Sequence, residues 1–174
     1  MKKNLLKLLA LSLFLCFATN AQESNKNKYP LKEDVTTIDG IIKAYYDVIS
    51  GPAGAPRNWE RDKSLHHPNA LISVTGKDKD NKPFIMVQSL PDYHKSFGIP
   101  KTGFWEYEIK REIQEFGNIA HVWTTYETRQ EQNGPVTERG INSIQLYHDG
   151  HRWWILSWMF DSERNDNPIP EKYQ

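Results

Sequence analysis

His66-His67, Tyr93-His94 and the pair Glu106 and Glu108 are where this chain's residue types and spacing could move a proton or hold a charge. A histidine titrates near neutrality and suits general acid–base work. His66 and His67 close a helical stretch stopped by Pro68, where a ring can equally cap the last helical carbonyls. Glu106 and Glu108 alternate along a strand-like run, so both fall on one face and could act as an acid–base pair. On a charged face they would instead balance Lys110, Arg111 or Arg129. Asn142 interrupts an apolar parity continued by Ile144 and Leu146, and an inward amide needs a water or a ligand as its partner. The histidines show neither HxH nor HxxxH spacing, which speaks against a metal site, and these residues call for no cofactor.

The elements that must position these groups follow from periodicity. Ile38, Ile41, Ile42, Tyr45 and Ile49 form one helical stripe, with Thr36 or Thr37 as N-cap, Asp39 in the first turn, and Gly51-Pro52 as the stop. A short helix over about 58–66, a hairpin of "ALISVTG" with "PFIMVQS", and a third short helix in "LPDYHKSF" come next. From Gly103 the period is two, and four long strands follow with turns at Gly117-Asn118, Asn133-Gly134 and Asp149-Gly150. Helices grouped with an antiparallel sheet predict an α+β domain.

A two-residue turn at Gly117-Asn118 sets Phe116 opposite Ile119. It puts Trp105, Tyr107, Ile109, Ile113, Ala120, Val122, Thr124 and Tyr126 over the core. Glu106, Glu108, Lys110, Glu112, His121, Trp123 and Glu127 fall on the opposite side. The last strand, "HRWWILSWMF", is apolar on both parities. A two-residue turn before it places Asn142 with Trp153 and Ile155, and a three-residue turn places it with Trp154 and Trp158.

Residues 1–21 read as a secretory signal peptide: Lys2, Lys3 and Lys7 precede an apolar run from Leu8 to Phe17, with cleavage expected after Ala21. A lipid anchor on Cys16 is the alternative, disfavoured by the large Leu15 before it. The protein is expected to be exported, to periplasm or beyond, with no membrane attachment after cleavage. Lys+Arg and Asp+Glu number 22 each, so losing the leader lysines leaves a slightly acidic chain, no footprint for nucleic acid. Its one cysteine goes with the leader, excluding disulfides and thiolate chemistry. Residues 22–35 are expected to be a disordered lead-in, 36–163 the domain, and 164–174 a polar tail.

The helix ending "YYDVISG", the run "LHHPNALIS" and the closing "YHDGHRWWILSW" resemble the nuclear-transport-factor-2-like superfamily, which includes SnoaL-like proteins and ketosteroid isomerase. "ISGPAGAPRNW", "FGNIAHVWTTYE" and "RGINSIQL" are similar to exported bacterial members of unassigned function. The resemblance implies a cone: a strongly curved sheet around a long first helix with two shorter helices, enclosing a cavity, and a homodimer through the outer sheet face. It implies that Tyr45 and Asn142 are hydrogen-bond donors to a developing oxyanion, with His66 or His67 at the cavity mouth as base. The end of the first strand, Ser73-Val74-Thr75, offers no carboxylate where the isomerase has its base. Three readings stand: a cone binding a small apolar or aromatic molecule through Tyr45, Tyr126, Asn142, Trp154 and Trp158; a dehydratase, isomerase or hydrolase; and a module whose cavity is filled by its own side chains.

Overall fold

The isoleucine stripe does form a helix, Ile38–Ile49. Thr37 caps it, accepting from the Gly40 amide at 2.9 Å, and Asp39 sits in the first turn where the helix dipole favours an acid. The computed structural model describes residues 28–174. The expected leader with Cys16 and Ala21, and the lead-in as far as residue 27, lie outside the described residues. A single helical turn, α1 (Lys32–Val35), precedes the long helix α2 (Ile38–Ile49). Residues 32–35 fall within the expected disordered lead-in. Asp34 is instead buried, bound by the Arg61 guanidinium at 2.8 and 2.7 Å, a tertiary anchor that local composition does not reveal.

Asn58 caps α3 (Trp59–Leu65) by accepting from the Arg61 amide. The helix stops at Leu65, and His66 opens the strand β1 (His66–Lys77), so His66 and His67 do not close a helix as expected. β2 (Pro83–Ser89) completes the hairpin, and α4 (Leu90–Phe97) follows, capped by Ser89. Then come β3 (Trp105–Phe116), β4 (Ile119–Arg129), β5 (Val136–His148) and β6 (Trp153–Ser162). The six strands form one curved, open sheet in the order β2-β1-β6-β5-β4-β3. All neighbours are antiparallel except β1 with β6, which run parallel. The inner face of the sheet holds Ile72, Val122, Ile144, Leu146 and Ile155 against Ile41, Ile42, Tyr45 and Tyr46 of α2.

Two bulges decide what faces inward. The β3–β4 hairpin keeps the expected two-residue turn, Phe116 opposite Ile119, but its register slips at Ile109. Beyond that unpaired residue Glu108 pairs with Tyr126 and Glu106 with Thr128. Side chains alternate faces, so one extra residue inverts the face of everything past it. Glu106 and Glu108 therefore point inward, opposite to the expectation, and Ile109 is exposed. The second slip lies in β6. A four-residue loop leaves His148 opposite Trp153, and Leu146 opposite Ile155; then Leu156 is passed over and Ile144 meets Trp158. Trp153, Ile155, Trp158 and Phe160 consequently all share the inner face with Asn142. Neither expected turn length, two or three residues, occurs, and the face that each implied holds for only one half of the strand. An apolar run on both parities is what a strand needs to keep one face buried across a bulge.

The residues beyond Glu163, read as a polar tail, fold back over the outer face. Ile169 is buried there, and the Thr125 hydroxyl donates to the Tyr173 carbonyl at 2.6 Å.

Arg57 ties off the far end of α2. Its guanidinium is buried and donates to the carbonyls of Ile49 at 2.7 Å, Gly51 at 3.0 Å and Ala55 at 3.1 Å. A fork of donors on carbonyls that the helix leaves open satisfies groups that would otherwise be buried unpaired. Arg57→Ala is expected to lower unfolding free energy by roughly 2–5 kcal/mol in a denaturant titration, and Arg57→Lys to recover little of it because an ammonium lacks the fork.

Candidate functional site

The inner face of the sheet, the second half of α2 and α4 leave a cavity of about 220 Å³ between them. Tyr45 and Ile49 reach it from α2, Tyr93 and Phe97 from α4, and Trp158 and Phe160 from β6. Val74, Phe104 and Tyr126 close the apolar wall, and Glu106, Glu138 and Asn142 are the polar groups among them.

Asn142 organises the polar end. It is fully buried; its amide nitrogen donates to the Tyr46 hydroxyl at 3.2 Å and to Glu106 Oε1 at 3.3 Å, while Oδ1 accepts from the Tyr45 hydroxyl at 3.4 Å. Tyr46 goes on to share a 2.9 Å hydrogen bond with Thr124, whose hydroxyl donates to Glu108 at 2.6 Å. Glu108 is answered by Arg111 at 2.7 and 2.5 Å. Glu106 has no such cation. Burial pushes its carboxyl up from 4.5 to about 8, against the lowering effect of the Asn142 hydrogen bond, and the charge of Glu138 adds to the rise. Burial likewise drives the hydroxyls of Tyr45, Tyr46, Tyr93 and Tyr126 upward, so they stay protonated donors.

Glu138 stands at the mouth of the cavity, solvent-exposed, with Oε1 3.3 Å from the Tyr126 hydroxyl. Between Glu138 and Asn142 the inner face of β5 needs Gly140. A Cβ there would lie 2.4 Å from the Tyr126 hydroxyl oxygen, so the glycine is what lets the Tyr126 ring cross the strand.

Of the residues expected to form the site, Tyr45, Tyr126, Asn142 and Trp158 come together around the cavity. Trp154, His66 and His67 do not line it. Trp154 is opposite Tyr147 on the other face; its indole donates to Asp149 at 2.7 Å, and the Arg152 guanidinium stacks on it at 3.7 Å. His66 is buried and fully engaged: Nδ1 donates to the Asp62 carbonyl at 2.9 Å, and Nε2 accepts from the Trp158 indole at 3.1 Å. That leaves no nitrogen for a substrate, and its task is to hold the Trp158 ring against the cavity. His67 packs edge-on against Trp154, outside. His94 bonds the buried Asp62 carboxylate at 2.6 Å and stacks on Trp59. Among the described residues no three potential metal ligands converge.

Glu106 and Glu108 lie on the face opposite to the one expected from alternation, and Glu106 is the one that reaches the cavity. A signal was present: Arg111 falls on the apolar parity of β3 and Phe116 on the charged one, so the alternation changes phase within the strand.

A larger hollow of about 430 Å³ lies on the outer face beneath 167–173. Its Asp161 is held by Arg164 at 2.6 Å and its Glu163 by the Ile169 amide at 3.0 Å, so both carboxylates there are engaged.

No family model and no curated protein matches the sequence. Solved structures do match the fold. A nuclear-transport-factor-2-like protein from Cytophaga hutchinsonii superposes with a TM-score of 0.52 at 9% identity, over 71% of this chain and 96% of that one. The chain has the nuclear-transport-factor-2-like fold. A chain assigned as the beta subunit of an aromatic-ring-hydroxylating dioxygenase from Novosphingobium aromaticivorans gives 0.56 at 17% identity, over 76% and 94%. A protein of unknown function with a cystatin-like fold from Nostoc punctiforme gives 0.55 at 8% identity, over 75% and 96%. In this cone the helix α2 and the curved sheet make the walls, and the identities are low enough that only the fold is shared ground.

The Glu106 carboxyl makes stability depend on pH with a definite sign. In the folded protein it stays neutral up to about 8, while in the unfolded chain it ionises above about 4.5. Its contribution is therefore fully present below 4.5 and is lost progressively as pH rises towards 8, by at most about 1.4 kcal/mol per pH unit. Glu106→Gln is expected to raise the denaturation midpoint at pH 8 clearly more than at pH 5. An equal shift at both would mean that the carboxyl is not held neutral.

Proposed function

We propose that the protein is an exported cone that binds a small, largely apolar or aromatic molecule in the inner cavity. The observation that carries the reading is the build of that cavity: aromatic and aliphatic walls from α2, α4 and the sheet, with Glu106, Asn142 and Tyr45 converging at one end. Apolar walls with a few convergent polar groups are the usual make-up of a ligand site. The volume of about 220 Å³ limits the guest to one or two rings, since an apolar cavity of roughly 150 Å³ takes benzene. Export rests on the leader-like pattern of 1–21.

The reading includes a homodimer. Leu71, Ile85, Val87 and Met159 lie together on the outer face of β1, β2 and β6 with 52, 59, 54 and 42% of their surface exposed. A contiguous apolar patch of this kind calls for a cover. The tail 163–174 covers the outer face over β4 and β5 and borders Met159, while Leu71, Ile85 and Val87 stay exposed. Native mass spectrometry of the protein from its host's exported fraction is expected to show a dimer with retained small-molecule mass. Val74→Phe, which fills the cavity at a cost of about 1–3 kcal/mol, should remove the extra mass and keep the dimer. A monomer would sink the dimer, and mass retained by the filled variant would sink the cavity assignment.

One observation favours an enzyme as the second reading: a carboxyl held near 8 beside a buried tyrosine and an amide is poised for proton transfer. The base is then Glu106 in place of His66 or His67, with Tyr45 and Asn142 as donors to the developing charge. Incubating the retained molecule with the protein in deuterated water decides. Carbon-bound deuterium or a new product with wild type, lost at least about 100-fold in Glu106→Gln, makes it a catalyst. Recovery of the molecule unchanged makes it a binder.

A further inference from the structure

Three acidic side chains are buried among the described residues: Asp34, Asp62 and Glu106. Asp34 holds the Arg61 guanidinium at 2.8 and 2.7 Å, and Asp62 meets His94 at 2.6 Å and lies 3.5 Å from His66. The half-buried Glu108 in turn holds Arg111. Among these, Glu106 alone is not bonded by a basic side chain. Its carboxyl receives one long hydrogen bond from the Asn142 amide, and it opens on the cavity. A buried carboxyl without a cation is costly, and proteins that keep one normally give it a partner or leave it neutral.

The walls carry the same message. The ionisable groups lining the cavity are Glu106, Glu138 and tyrosines; no lysine, arginine or histidine lines it. Glu138, exposed at the mouth, adds negative potential on the way in. The faces and edges around Glu106 belong to Tyr45, Tyr93, Tyr126 and Trp158, and aromatic rings attract a cation through their quadrupole, more strongly when the site is dry. An anionic guest would meet two carboxyls and no counter-charge. A neutral hydrocarbon would leave Glu106 protonated and its remaining acceptor capacity unused.

Resting on the binding reading above, we infer that the guest is a small organic cation, an amine or quaternary ammonium on a compact aromatic or aliphatic body. Its positive end sits between Glu106 and the rings of Tyr45 and Trp158, and it enters past Glu138. The guest supplies the partner that the fold withholds.

Binding then carries a proton signature. The groups facing Glu106 are Tyr45 and Tyr46 from α2, Tyr93 from α4, Tyr126 from β4, and Glu138 with Asn142 from β5; Asp62 of α3 and Arg57 act on these tyrosines from further out. The tyrosines are pushed upward and stay neutral, so Glu106 is the group that changes. An empty cavity keeps it protonated up to about 8, and a bound cation makes it release that proton. Affinity for a permanent cation should therefore fall about ten-fold per pH unit below that point and level off above it.

The test uses a matched pair: phenyltrimethylammonium and its neutral carbon counterpart tert-butylbenzene, titrated calorimetrically into the full folded protein from pH 6 to 9. The expected result is a cation preference of at least about ten-fold at pH 8.5 that shrinks as pH falls. Glu106→Gln should bring the two probes to within about two-fold of each other at every pH, and Glu138→Gln should weaken the cation without abolishing its pH dependence. Equal or tighter binding of tert-butylbenzene by wild type, or cation binding indifferent to pH, would overturn the inference and leave the cavity reading standing. If neither probe binds, the cavity reading falls and this one with it.

Discussion

The buried amide of Asn142 joins three elements at once, and the interior is arranged around it. Its oxygen and both amide hydrogens are directed to Tyr45, Tyr46 and Glu106, which belong to α2 and β3, while its own backbone belongs to β5. A buried polar side chain with its valences engaged fixes position as well as register, because any slide of α2 along the sheet would strand several groups together. The tyrosines are consecutive on the helix, so their hydroxyls approach Asn142 from two sides and set the rotation of α2 about its axis. Where α2 stops meeting the sheet, the cavity begins, and the polar end of that cavity is the edge of this same network.

The two bulges are what bring the other members to that point. Without the unpaired Ile109, Glu106 would face outward with Lys110 and Glu112. Without the unpaired Leu156, the inner face of β6 would carry either Trp153 and Ile155 or Trp158 and Phe160, not both pairs. A curved sheet needs bulges to bend, and each places an extra residue where the pleat changes phase. In this cone the same device that makes the curvature also selects the side chains of the pocket. Shape and chemistry are therefore coupled.

That coupling explains what could and could not be read in the chain. The helix over Ile38–Ile49, its Thr37 cap, the Ser89-capped helix of Leu90–Phe97 and the turn at Gly117-Asn118 are local events, decided by residues within a few positions of each other. Tyr126 was legible as an inward residue because β4 keeps phase around it, whereas the face Trp158 shares was left open between two turn lengths, the bulge at Leu156 lying just before it. The bulges are settled by pairing with distant strands, and a one-residue slip leaves composition and turn signals unchanged. Glu106 was thus placed with its charged neighbours, and Trp154 was grouped with Trp158 although Leu156 separates them. The doubled apolar parity of 153–160 and the misplaced Arg111 were the traces each bulge left.

The histidines show how a residue type that suits catalysis can be absorbed by architecture. His66 spends one nitrogen on the Asp62 carbonyl and the other on the Trp158 indole, so the ring that walls the cavity is held from behind. His94 spends Nε2 on the Asp62 carboxylate, and this pins α4 to α3. Tyr93, beside it, packs its ring 5.1 Å from Trp158. Asp62 thus bonds α4 through its side chain and β1 through its carbonyl, and the helix that might have served as a lid is fastened down by a buried carboxylate. At the other end the exposed Glu138 stands beside the Tyr126 hydroxyl, whose ring lies against Gly140. The protonable group left uncommitted by this scaffold is the Glu106 carboxyl at the polar end of the cavity, and any chemistry the cone performs on a guest has to begin there.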